Sequence, residues 1–188
     1  MKKNKLFSAT RIASVSALAL TFGIWSNGAL AMQDKLVAKK IEKKEDAVYA
    51  AKLSGFSSIP SVYTPAYGTF KAIPGKYGKY IYFEMYYEYL KGEARSAHLH
   101  FGQKFANGGG IIATLCGGAY TKPCPAYSGW VKGKITYKDI EGPQSQGIYP
   151  GDIKSAIKVL KKGLTYINVH TSKFPKGELR GQVLPVDL

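Results

Sequence analysis

Three histidines make up the whole imidazole complement of this chain, and none is isolated. His98 and His100 stand in Ala97-His98-Leu99-His100-Phe101-Gly102, and His170 stands in Tyr166-Ile167-Asn168-Val169-His170-Thr171. Imidazole is the commonest metal ligand and the proton-transfer group best matched to neutral pH. A His-x-His pair on a strand presents two ligands to one side. A third from another strand would complete a copper or zinc site with an open position. Other catalytic chemistry finds less support. Ser96 lies two residues from His98 but in no G-x-S-x-G elbow. Glu178 and Asp152 do not form an evident acid/base pair. The competing reading of the histidines is a hydrogen-bonded polar network that fixes sheet geometry or builds a partner surface.

Both readings depend on the strands that carry these residues. Side chains alternate along a strand, so Ala97, Leu99 and Phe101 point one way and His98 and His100 the other. In 165–171, Ile167 and Val169 are assigned to the core, while Tyr166, Asn168 and His170 face away. In 178–183, Leu179 and Val183 are core-directed, with Glu178, Arg180 and Gln182 opposed. If the three strands share a sheet, one face gathers His98, His100, Asn168, His170, Glu178, Arg180 and Gln182.

Further strands are expected at 48–53, 68–73, 80–90, 111–115 and 131–137, separated by Gly/Pro-rich turns. In 80–90, Ile81, Phe83, Met85, Tyr87 and Tyr89 share a side. Asn107-Gly108-Gly109-Gly110 must be flexible or sharply turned. Residues 152–162 break the β pattern: Ile153, Ile157 and Leu160 recur at helical spacing, Asp152 can cap, and Gly163 can stop the helix. The fold class is therefore all-β, a mainly antiparallel sandwich or barrel of about eight strands, immunoglobulin-like or dismutase-like, with one short amphipathic helix.

Export is expected from the first 31 residues. Lys2, Lys3, Lys5 and Arg11 precede an apolar run from Ile12 to Trp25, and Ala29-Leu30-Ala31 has the small-x-small form of a cleavage site. A charged leader over 32–46 and one domain over 47–188 would follow. That domain is long enough for a proper core, and no second apolar stretch in the mature chain could span a bilayer. Outside the cytoplasm, Cys116 and Cys124 favour a disulfide over a metal role. The chain carries +15 overall, and removing the four cations of the first 31 residues leaves about +11. Such a surface attracts anionic polymers such as acidic polysaccharide or lipid headgroups. Arginine is scarce and no nucleic-acid-binding signature is present, so specific nucleic acid recognition is not expected.

The run from Tyr166 to Val183, with Asn168-Val169-His170-Thr171, Phe174-Pro175 and Gly177-Glu178-Leu179-Arg180-Gly181-Gln182, resembles the C-terminal signature of the CHRD domain, the module named after chordin. Ala97-His98-Leu99-His100 resembles its central motif, and Leu53-Ser54-Gly55 with Pro60 and Gly68 its opening segment. Gln146-Gly147-Ile148 with Gly151-Asp152 matches bacterial members. The similarity covers about residues 47 to 184. It implies a secreted, β-rich binding or structural module. Growth-factor antagonism does not transfer, because the chain has one module and none of chordin's cysteine-rich companion domains.

Taken together, the sequence points first to a non-enzymatic, cofactor-free module of the periplasm, cell surface or medium that binds a protein or an anionic polymer. The alternative is a copper- or zinc-binding, redox-active periplasmic protein using His98, His100 and His170. A copper/zinc dismutase is a poor match, since three histidines are too few for two metals.

Overall fold

The computed structural model describes residues 47–106 and 108–186. The expected leader and signal segments, and Asn107 of the glycine loop, lie outside the described residues. Eight strands follow in order: β1 (Tyr49–Ser54), β2 (Tyr67–Pro74), β3 (Tyr80–Glu88), β4 (Ala94–Phe101), β5 (Ile111–Cys116), β6 (Gly129–Thr136), β7 (Thr165–Thr171) and β8 (Leu179–Pro185). Among the described residues one α-helix, α1 (Ile153–Lys161), stands between β6 and β7.

All strand pairs are antiparallel, in the order β5-β4-β7-β8-β1-β2-β3-β6. The sheet curls into a nearly closed barrel, bringing its edge strands β5 and β6 towards each other. Curling limits the exposed edge that a flat sheet of this width would present. Alternating residues fill the interior, including Phe70, Met85, Leu99, Ile167 and Leu179, all essentially inaccessible to solvent.

Local rules account for the element ends. The side chain of Asp152 caps α1 by accepting from the Ser155 amide at 3.0 Å. Ile153, Ala156, Ile157 and Leu160 turn into the core, as their spacing requires. Along β3 the core side holds Ile81, Phe83, Met85 and Tyr87. Tyr89 departs from the expected alternation: its φ of 60° ends the strand and leaves the ring exposed. Cys116 and Cys124 are joined in the expected disulfide. Among the described residues, no helix is long and apolar enough to cross a membrane.

Candidate metal centre

Strands β4, β7 and β8 are neighbours, which is the condition the histidine face required. Register places His98 opposite Asn168, His100 opposite Tyr166, and Ser96 opposite His170. His170 is therefore the diagonal neighbour of His98, within side-chain reach on one face of the ladder. On its other side, β4 shifts register against β5 at Ala97/His98 and again at Leu99/His100. Such irregularities bend and twist a strand and re-aim its side chains.

The three rings converge. Their centroids stand 5.0 Å apart for His98 and His170, 5.6 Å for His98 and His100, and 6.3 Å for His100 and His170. One nitrogen from each ring lies within 4.8 Å of one from each of the others. Three points so placed share a centre no more than about 2.8 Å from any of them. Metal–imidazole bonds measure about 2.0–2.1 Å. Each ring would move inward by less than about 1 Å to meet one ion at that distance.

Hydrogen bonding fixes two of the tautomers. His100 Nδ1 stands 2.8 Å from the Gly109 carbonyl, and His170 Nδ1 stands 2.9 Å from the Pro175 carbonyl. A carbonyl oxygen only accepts, so both Nδ1 atoms carry hydrogen and both Nε2 atoms keep a lone pair. Metal-ligating histidines are oriented by the same kind of bond through their other nitrogen. His100 Nε2, His170 Nε2 and His98 Nδ1 are all buried without a protein hydrogen-bond partner.

The face is covered on one side, while His98, Asn168, His170 and Gln182 are half-buried. His100, Tyr166 and Arg180 retain only 7%, 4% and 3% of their surface. The cover is the segment after β4, which Arg180 anchors. Its guanidinium donates to the carbonyls of Gln103, Lys104 and Ala106, and also to that of Ser57. Gln182 adds bonds to the Gly102 and Gly163 carbonyls at 3.0 and 2.7 Å. The cover approaches closely enough that a Cβ at Gly109 would collide with the Phe101 carbonyl and the Tyr166 ring. At Gly177, φ is +120° and a Cβ would strike Asn168, whose Nδ2 donates to the Lys176 carbonyl.

Burial disfavours the imidazolium form of all three rings. His98 is pushed down to about 4, by burial first and then by its two histidine neighbours. His100 is also pushed down to about 4, by burial first, against the opposing bond to Gly109. Burial lowers His170, again against its carbonyl bond. The rings are neutral at ordinary pH, as metal ligation requires.

Of the seven residues assigned to this face, six assemble there and Glu178 does not. Glu178 precedes the first residue of β8, where the chain is still leaving a turn, so strict alternation does not reach it. Its carboxylate accepts from Thr64 Oγ1 at 2.6 Å, the Lys91 amide at 2.8 Å and Thr171 Oγ1 at 2.9 Å. Thr171 alternates to the side of the sheet opposite His170. Tyr166 is the residue the sequence assignment omitted from the face. It stacks on His100 with centroids 4.8 Å apart and planes 3° from parallel, beside the Arg180 guanidinium at 4.0 Å. Its signal was present, since it shares the parity of Asn168 and His170.

Barrel and face together define a small β-barrel module with three neutral histidines converging beneath a tethered segment. The family model of the CHRD domain matches residues 49–183, from the first residue of β1 into β8, and the chain belongs to that family. No curated protein and no solved structure matches it.

Proposed function

We propose that this protein is a metal-holding CHRD module of an exported chain, and not an enzyme, with His98, His100 and His170 as the ligands of one transition-metal ion. The observation that carries this reading is the convergence of three neutral rings, two of them fixed by carbonyls so that Nε2 is free. Leaving a buried polar group unpaired costs about 1–3 kcal/mol. Ligation would satisfy all three nitrogens at once. The test is metal analysis of untagged protein followed by titration with copper and zinc. The expected result is one ion per chain, bound tighter than about 1 μM and lost when His98 and His170 become alanine. Binding no tighter than that, or binding that survives the double substitution, would remove the proposal.

A second reading, an anionic-polymer surface, is favoured by a separate observation. The outward face of β2, β3 and β6 carries the exposed rings of Tyr67, Tyr82 and Trp130. Lysines lie across it, with Lys134 4.1 Å from the Tyr80 ring centre and Lys132 4.6 Å from that of Trp130. Aromatic faces beside ammonium groups suit an acidic polysaccharide. Heparin retention should fall in Lys71→Gln/Lys132→Gln/Lys134→Gln and persist when the histidines are replaced. Unchanged retention in the lysine variant would end this reading.

A further inference from the structure

We propose that the three-histidine pocket discriminates by charge and takes copper(I) in preference to zinc(II). The proposal rests on the metal-binding reading above and adds to it an oxidation state and a selectivity.

The pocket offers a cation no negative charge. Its ligand set among the described residues is three neutral imidazoles, with no carboxylate or thiolate joining the cluster. Cys116 and Cys124 are spent in their disulfide. The carboxylate of Glu178 is taken by three donors away from the rings. Glu141, whose charge is felt at His100, is held by the amide and hydroxyl of Thr114 and stands outside the cluster. Asn168 and Gln182, which share the face, are neutral amides.

Of the two fixed charges felt at His100, Arg180 and Glu141, the stronger is Arg180, and it has the wrong sign for a cation. Arg180 is buried, and its hydrogen-bond partners are carbonyl oxygens rather than a carboxylate. Among the described residues it forms no ion pair. Its guanidinium lies against Tyr166, which stacks directly on His100. An ion in this pocket meets a positive neighbour that has no ion-pair partner among the described residues, at a site partly withdrawn from water.

That setting penalises ions unequally. The Born cost of moving an ion out of water grows with the square of its charge, so a bare divalent ion pays about four times the cost of a monovalent one of equal size. Repulsion from Arg180 doubles as well. Zinc(II) also wants four ligands, whereas copper(I) is content with three neutral nitrogens. Ordinary imidazole sites suit both metals. Here the missing counter-charge separates them.

The test is a pair of competition titrations on the untagged protein: copper(I) under anaerobic conditions against bicinchoninate, and zinc(II) against a chromophoric chelator. Copper(I) should bind one-to-one with a dissociation constant at least about a thousandfold below that of zinc(II). Asn168→Asp sets an anion opposite His98 in the ladder and should narrow that ratio at least about tenfold, chiefly by tightening zinc(II). Zinc(II) binding as tightly as copper(I) in the unaltered protein overturns the proposal, whatever the variant does. A ratio unmoved in folded Asn168→Asp contradicts its electrostatic basis. Failure of both metals to bind removes instead the reading on which the proposal rests.

Discussion

Glu178 and the histidine trio are both buried polar sites tied to β7, and they are built to opposite rules. Glu178 is fully enclosed, and its carboxylate accepts from Thr64, Lys91 and Thr171. Each histidine keeps a buried nitrogen that no protein group satisfies. Glu178 knits the segments around Thr64 and Lys91 to the end of β7. The histidines are held in place by their other atoms, yet their free nitrogens contribute no bond to the fold. A satisfied buried group explains itself structurally, whereas an unsatisfied cluster asks what it is kept for.

The comparison predicts its largest effect at Glu178. Glu178→Ala strands the buried Thr171 hydroxyl and two part-buried donors, from Thr64 and Lys91, and should cost about 3 kcal/mol in urea unfolding. Metal affinity of the folded fraction should be unchanged. A loss below about 1 kcal/mol would erase the distinction between the two sites.

The histidines should behave in the reverse way. His98→Ala/His170→Ala should weaken metal binding more than about a hundredfold, while the metal-free protein changes stability by less than about 1 kcal/mol. A large loss of metal-free stability would make the cluster structural.

Acid separates the sites more gently. His98 and His100 titrate near 4 in the folded protein, below the ordinary 6.5. On acidification the unfolded chain therefore takes up protons first. The histidines' contribution to the stability of the metal-free protein should be full above pH 6.5, fall between 6.5 and 4, and level off below. The expected loss is about 2 kcal/mol, less than complete burial would give because the rings keep some contact with water. Flattening of the profile in His98→Ala/His100→Ala, followed by thermal unfolding, checks the assignment. An unchanged slope would place the titration elsewhere.

The smallest effect is expected at Tyr166. Tyr166→Phe keeps the stack on His100 and loses the hydroxyl's 3.3 Å bond to the Gly109 carbonyl and its contact with Arg180. Stability should fall by about 0.5–1 kcal/mol, with metal affinity changed less than about tenfold. A collapse of affinity would give the hydroxyl a direct part in the site.

Much of this was legible in period-2 spacing. Alternation placed His98, His100, Asn168 and His170 on one face because β4 and β7 pair without a shift from Ser96 to Phe101. The same rule misplaced Glu178 at a turn and Tyr89 at a left-handed strand end, since alternation holds only while the backbone stays extended. Period-2 spacing could not foresee that the residues after β4 would return over the outer face. Arg180 shows why: its role is set by carbonyls of Gln103, Lys104 and Ala106, and any sequence supplies carbonyls. That cover distinguishes an ion site from a partner surface. A solvated polar face would favour partner binding, whereas a covered one with free nitrogens favours an ion.

The central claim is that three imidazoles meet at one point to hold a metal. X-ray absorption at the copper edge, on protein loaded with one equivalent of copper(I), tests it most directly. The account predicts three nitrogen scatterers near 2.0 Å with imidazole multiple-scattering features, reduced to at most two in His170→Ala. Copper with fewer than two imidazoles, or a spectrum unchanged by His170→Ala, would contradict it.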